Sequence, residues 1–315
     1  MPDYNGIDRG NQNIERAEDG FLMSPKVDFV FKLIFGDEKN KELLIAFLST
    51  IIKLPIEEFE GIEIINSELL REFKEDKKGI LDVRVKTQQG KQIDIEIQIL
   101  PTEFMPERTL FYWSKMYTGQ IKAGDTYHSL KKCITINIVD FRCTPVKKIH
   151  TGYHLTEDET GHRLTDILEV HFLEIPKLWD KDISKDEEDP LVLWMEFLDA
   201  KSKGVMEMLA EKNKDIKKAY TVLEILSKDE KARMAYEARE AEVRDQLTRL
   251  KTAEEKGRKE GIEKGIEKGI EKGIEKEKFQ TAKAAIGKGL PTDIIADITG
   301  LTIEKIEALQ KEMKH

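Results

Sequence analysis

From Leu81 to Ile99 polar and branched apolar residues alternate with period two, as LDVRVKTQQGKQIDIEIQI. This predicts two strands joined at Gln88 to Gly90, with charged and amide side chains on one face and Val or Ile on the other. Pairing about position 89 sets Asp82 opposite Glu96, with Asp94 and Gln98 along the same face. Directly opposed Cβ atoms lie about 5 Å apart, so two carboxylates repel across the ladder unless a cation or a proton sits between them. A divalent metal suits that position. The wet face of an ordinary antiparallel sheet shows the same alternation, so the pattern alone leaves a solvated surface open as the other reading.

Around the hairpin the apolar spacing switches between helical and extended. Phe29, Leu33 and Ile34 precede a Gly-Asp break, and Leu43, Leu44, Phe47, Leu48, Ile51 and Ile52 mark a helix stripe ending at Pro55. Residues 62–70 read as a first strand, 80–87 and 92–99 as the second and third, and Leu100-Pro101 stops the third. Leu110, Phe111, Trp113, Ser114, Tyr117 and Ile121 recur at helical spacings within 107–124, and 133–141 is extended again. Residues 150–154 and 170–175 suggest added strands on either side of the polar turn TEDETGHR. The order predicts a layered α/β core, with the apolar hairpin face under a helix and the acidic face exposed.

From Asp189 onward the periodicity is helical, through Trp194, Phe197 and Leu198, then Met206, Leu209, Ile216, Ala219, Tyr220, Leu223 and Leu226, and a charged helix from Arg233 to about Lys251. The segment EKGRKEGIEKGIEKGIEKGIEKEK then repeats every four residues, with Gly257, Gly261, Gly265, Gly269 and Gly273 in phase. Four residues advance a helix by about 400°, so the row Ile262, Ile266, Ile270, Ile274 drifts about 40° per repeat. Each glycine costs roughly 1 kcal/mol relative to alanine. The repeat reads as a dynamic helical linker or self-association segment, or else as an extended low-complexity linker. It lacks the spacing of a phosphate-cradling loop.

Residues 289–300 and 301–309 predict two short helices broken at Thr299-Gly300, with Thr302 as N-cap. Glu304 and Glu307 make the second a poor base-reading helix, and a packing or dimerising module fits it better. The expected organisation is a polar lead at 1–23, a core domain at 24–180, a helical region at 186–252, the repeat at 253–280 and a small helical module at 281–315.

A net charge of −9 argues against a protein that coats nucleic acid, but not against a nuclease, whose site must be acidic to hold a cation. Lys77, Lys78, Arg84, Lys86 and Lys91 could supply a local basic rim. The chain has no apolar run of membrane-spanning length and its first residues lack an apolar signal core, so a soluble cytoplasmic protein is expected. Cys133 and Cys143 form no CxxC pair and read as ordinary thiols. His150, His154 and His162 have neither HExxH spacing nor a nearby cysteine, which disfavours zinc, and no Ser-His-Asp order suggests a serine hydrolase.

ILD at 80–82 and IEIQ at 95–98, with upstream KVDFVFKLIFGDE and downstream RTLFYWSKMYTGQIKAGDTYHSLKKCITINIVDF, resemble the PD-(D/E)XK nuclease family transposases, also called recombination-promoting nucleases. The similarity covers about 24–240, and the GIEK repeat with a terminal ITGLTIEKI is also typical of the group. The resemblance implies an α/β, restriction-endonuclease-like PD-(D/E)XK core with a helical C-terminal extension, and Mg²⁺-dependent DNA cleavage tied to recombination or mobile elements. Mn²⁺ is a possible substitute. On its pattern Asp82 and Glu96 are the acids of the second and third strands that would hold the metal, and Gln98 takes the usual lysine position; the Ile97 main-chain carbonyl could join the two carboxylates as a third protein ligand. A glutamine carries no charge and cannot be a general base at neutral pH, so it would orient water or hydrogen-bond to phosphate.

Asp28 and Lys32, four apart on one helical face, could pair or approach the site. Lys78 and Arg84 could supply electrostatic help, while Asp94 is a third acid or plain surface. Arg108, Tyr112 and Tyr127 match the family pattern as substrate contacts or as packing. DNA is the expected partner, with homo-oligomerisation through the C-terminal helices. The opposing readings are a non-catalytic assembly protein on a nuclease fold and an RNA-directed nuclease.

Overall fold

The computed structural model describes residues 20–65 and 83–313. Its centre is a six-stranded mixed sheet of β1 (Glu63–Ile65), β2 (Val83–Lys86), β3 (Gln92–Gln98), β4 (Cys133–Val139), β5 (His150–Tyr153) and β6 (Leu168–Glu174), in the order β1-β2-β3-β4-β6-β5. The β2–β3 ladder has the predicted register, with Val83 opposite Ile95 and Arg84 opposite Asp94. Its turn closes through Gly90 N–H donating to Thr87 O at 2.9 Å, and Gly90 has φ +84°, which a residue with a Cβ adopts only under strain. β3, β4 and β6 run parallel. Parallel neighbours need a crossover, and α3 (Met105–Thr118) supplies it between β3 and β4.

One sheet face is apolar as the alternation predicts. Val83, Val85, Ile93, Ile95, Ile97, Ile134, Ile136, Ile138 and Leu173 pack into the main core with α1 (Asp28–Phe35), α2 (Lys41–Ile52) and α4 (Pro190–Asp199). Phe35 stacks on Phe47 with centroids 4.9 Å apart, and Trp194 meets both rings edge-on. Leu209 of α5 (Lys203–Lys212), Ile216 and Leu223 of α6 (Lys214–Lys228) and Tyr236 join the same core.

The expectation for the other face is corrected. The acidic face of β3 is not exposed, because α3 lies over it, leaving Asp94 1% and Glu96 3% exposed. α3 also turns differently from its apolar spacing. Met105, Thr109 and Met116 are buried, while Leu110 and Phe111 stand half-exposed.

The chain divides after Gln246 into two units. α7 (Glu230–Gly287) is one continuous helix, so the repeat adopts the helical rather than the extended alternative. Ile262, Ile266, Ile270 and Ile274 are half-exposed along it, and a Cβ added at any of the five repeat glycines would meet open space. The second unit has a small core of Ala282, Ala285, Ile295, Leu301, Ile306 and Leu309, formed by the end of α7, α8 (Thr292–Thr299) and α9 (Ile303–Glu312). The break between the last two is as predicted, with Gly300 at φ +63°. Thr302 stands at the N-cap, but its side chain makes no capping hydrogen bond. Among the described residues no helix is long and apolar enough to cross a membrane.

Candidate active site

Strand register brings the polar side chains of three elements together. β3 contributes Gln92, Asp94, Glu96 and Gln98, and β4 places Thr135 beside Asp94 and Asn137 beside Glu96. α3 covers them with Arg108, Thr109 and Tyr112, residues i, i+1 and i+4 of one helical face. Thr109 Oγ1 meets Asn137 Oδ1 at 3.0 Å, and Asn137 Nδ2 donates to the His171 carbonyl at 3.0 Å, which fixes the amide from both ends. Trp113 Nε1 donates to the Cys133 carbonyl at 3.0 Å and ties α3 to the start of β4.

Glu96 is the centre of this arrangement. Its Oε1 accepts from Arg108 Nη2, while Oε2 is buried with no hydrogen-bond partner among the described residues. Burial lifts the carboxyl above the ordinary range, and the Arg108 charge pulls it partly back. Tyr112 lies in the same field. Burial raises its hydroxyl first, Arg108 opposes this, and the charges of Glu96 and Asp94 raise it further. The Arg108 guanidinium carbon sits 5.6 Å from the Tyr112 ring centroid, within cation–π range.

The remaining sequence-predicted residues scatter. Asp82 and Lys78, like Lys77, lie outside the described residues. Asp94 is buried, so a role as plain surface is ruled out for it. Arg84 is directly across from Asp94, and its Nη2 donates to Gln92 Oε1. Gln98 is half-buried at the end of β3, with Nε2 donating to the Leu100 carbonyl at 2.8 Å. Ile97 sends its side chain into the core. Asp28 is held by Arg239 of α7, whose Nε lies 2.9 and 3.0 Å from the two carboxylate oxygens. Lys32 is exposed on α1, Lys91 pairs with Glu58 at 3.0 Å, and Tyr127 stands 83% exposed beyond α3.

Thr109, Thr135 and Asn137 escaped the sequence reading. For Thr135 and Asn137 the one signal is the T-x-N alternation inside CITINIV, which has the same period as D-x-E-x-Q in β3, and Thr109 carries none.

Among the described residues no group of three or more His, Cys, Asp or Glu side chains is gathered to hold a metal ion. The Oε2 of Glu96, without a hydrogen-bond partner among the described residues, nevertheless suits a hard cation, since ionised carboxylate oxygens are the preferred ligands of Mg²⁺. His150 and His154 do not converge. His150 Nε2 lies 2.8 Å from His171 Nδ1, and His154 Nδ1 lies 3.3 Å from the Leu168 carbonyl. Cys133 and Cys143 are free thiols whose burial pushes both up to about 12, away from nucleophilic chemistry.

A mixed sheet with helices on both faces and a buried acidic strand beside its antiparallel partner is the architecture of a PD-(D/E)XK-like core. The family model for PD-(D/E)XK nuclease family transposases matches residues 25–253, and the chain belongs to that family. No curated protein and no solved structure matches it.

Proposed function

We propose that this protein is a DNA endonuclease using Mg²⁺, or Mn²⁺ in its place, at a site centred on Asp82 and Glu96. The observation that carries this reading is a carboxylate sealed under α3 with one oxygen that has no hydrogen-bond partner among the described residues. Such a group costs several kcal/mol to bury unless a cation or hydrogen-bond donors compensate it. Continuing the β2–β3 register by one pair would set Asp82 opposite Glu96, and these two carboxylates with the Ile97 carbonyl would hold the ion. When bound, the ion would polarise the phosphate and offset the charge that develops as water attacks.

The protein's own groups do the rest. β3 holds Glu96 on rigid backbone, and Arg108, fixed on α3, has guanidinium donors suited to a phosphate oxygen. Gln98 can hydrogen-bond to water or phosphate but takes up no proton at neutral pH. In the net reaction water adds to phosphorus while one phosphorus–oxygen bond to a sugar breaks. Its proton ends on solvent or on the departing sugar oxygen.

Nicking of supercoiled DNA tests this, with Mg²⁺ and Mn²⁺ set against EDTA and against a folded Glu96→Ala variant. Cleavage is expected to vanish in both controls. Equal cleavage by the variant, or none by metal-loaded protein across salt and pH, rejects the reading. RNA run in parallel separates the two substrate classes.

The exposed isoleucine row of α7 favours a second property, self-association through that helix, which also belongs to the non-catalytic assembly reading. Light scattering on the full chain should give a multiple of the chain mass that Ile266→Lys with Ile270→Lys reduces. An unchanged mass rejects it.

A further inference from the structure

The contact between Glu96 and Arg108 is half-made. Arginine and carboxylate normally meet through two parallel hydrogen bonds, and a buried pair left incomplete is costly. Here one nitrogen meets one oxygen, while Glu96 Oε2 and Arg108 Nε are both buried with no hydrogen-bond partner among the described residues. The two side chains also differ in access, since that of Glu96 is 3% exposed and that of Arg108 is 33% exposed. The guanidinium therefore runs from the buried acid toward solvent, along the Tyr112 ring, a surface that can carry a cation once it leaves the carboxylate.

We propose that Arg108 is an exchangeable internal cation. It neutralises Glu96 until a divalent ion arrives, and the ion then releases the guanidinium to bind a backbone phosphate of the nucleic acid. This rests on the metal site proposed above. One positive charge replaces another at Glu96, so cation and nucleic acid bind with positive coupling, each strengthening the other by the same factor. Arg108 is thus a competitor of the metal in the free protein and a substrate contact in the loaded one. A purely structural counter-ion would be neither.

The full chain tests this without turnover. Calorimetry reads Mn²⁺ affinity in the absence of DNA, and fluorescence anisotropy reads the affinity for a DNA duplex with Ca²⁺ and with EDTA. In the unaltered protein Ca²⁺ should tighten DNA binding several-fold. Arg108→Ala should bind Mn²⁺ roughly tenfold more tightly, within the range of ordinary site-to-site couplings, and lose most of the Ca²⁺ effect on DNA.

Arg108→Lys covers the case in which the alanine variant fails to fold. It keeps the charge but not the planar fork, so Mn²⁺ affinity should stay within about threefold while the Ca²⁺ effect falls. Mn²⁺ affinity unchanged or weakened in Arg108→Ala, or a full Ca²⁺ effect in Arg108→Lys, overturns the exchange. Glu96→Gln separates the two levels. If the unaltered protein binds no Mn²⁺, or Glu96→Gln binds it equally well, the metal site itself falls and the exchange falls with it.

Discussion

Glu169 accepts from His171 Nε2 at 2.8 Å and from Lys132 at 2.6 Å, and His171 Nδ1 faces His150 Nε2 at 2.8 Å. Burial would raise the Glu169 carboxyl, but the hydrogen bonds from His171 and Lys132 win and bring it down to about 2. His171 thus donates from Nε2 to Glu169, while its Nδ1 shares a hydrogen bond with His150 Nε2. Burial holds His150 down at about 4, helped by His171 and Lys53 and opposed by Asp189 and Glu169. A histidine lowered on folding is protonated more readily in the unfolded chain. Stability is therefore highest above the ordinary value of about 6.5 and drains away as pH falls toward 4. Glu169 adds a second loss below about 4.3, the unfolded glutamate value. Urea midpoints measured from pH 7 to 4 should fall steeply, and His150→Gln should flatten that slope. An equal slope in the variant removes His150 from the account. Glu174 and Lys177 form a second buried pair. Glu174 is fully buried and accepts from Cys143 N at 2.7 Å, Thr144 Oγ1 at 2.6 Å and Lys177 Nζ at 2.6 Å. Lys177→Met strands that carboxylate and should cost about 3–5 kcal/mol in urea unfolding. Adding Glu174→Gln should return part of the loss.

At the scale of elements, α7 makes a prediction of opposite sign. Its repeat glycines carry open space where a Cβ would be, so glycine there costs helix propensity and gives no packing in return. Replacing Gly265 and Gly269 by alanine should stabilise the helix by roughly 1 kcal/mol each, read as a gain in helical circular dichroism at raised temperature. An unchanged or reduced signal would mean that the glycines serve a close approach. The same scale explains which elements the sequence disclosed. The β2–β3 register was legible because a one-residue slip would turn Val83, Val85, Ile93 and Ile95 out of the core, and Gly90 marks the turn. α3 was legible as a helix, but its orientation was not. Leu110 and Phe111 suggested the buried side, whereas Arg108, Thr109 and Tyr112 cover Glu96 and Asn137. A polar helix face that satisfies a polar strand face leaves no hydrophobic periodicity to read. For the same reason the exposure expected for Asp94 and Glu96 was reversed, although the acids themselves and Arg108 were named from the sequence.

Over the whole molecule, apolar stripes announce helices without naming their partners. Nothing in the spacing of Leu209, Ile216 and Leu223 assigns them to the core that also holds Phe31 and Ile95. The polar ties between distant parts are equally silent. Met23 N–H donates to Ser227 Oγ at 3.0 Å, and Arg239 holds Asp28 across 211 residues of sequence. The Arg239–Asp28 pair, with Tyr236 in the core, makes the start of α7 part of the first unit, and none of that unit's core residues lies beyond Gln246. The second unit has its own apolar cluster. A chain ending at Gln246 should therefore unfold at nearly the temperature the first unit shows in the full chain. One ending at Lys228 loses Tyr236 and the Arg239–Asp28 pair and should melt lower by several degrees, since about 1 kcal/mol moves a domain of this size by roughly 2–4 °C. Differential scanning calorimetry distinguishes the cases. Equal melting of both truncations would remove α7 from the stability of the sheet domain. A large drop already at Gln246 would mean that the boundary after that residue does not separate two cooperative units, because folding of the sheet would then depend on residues outside its own core.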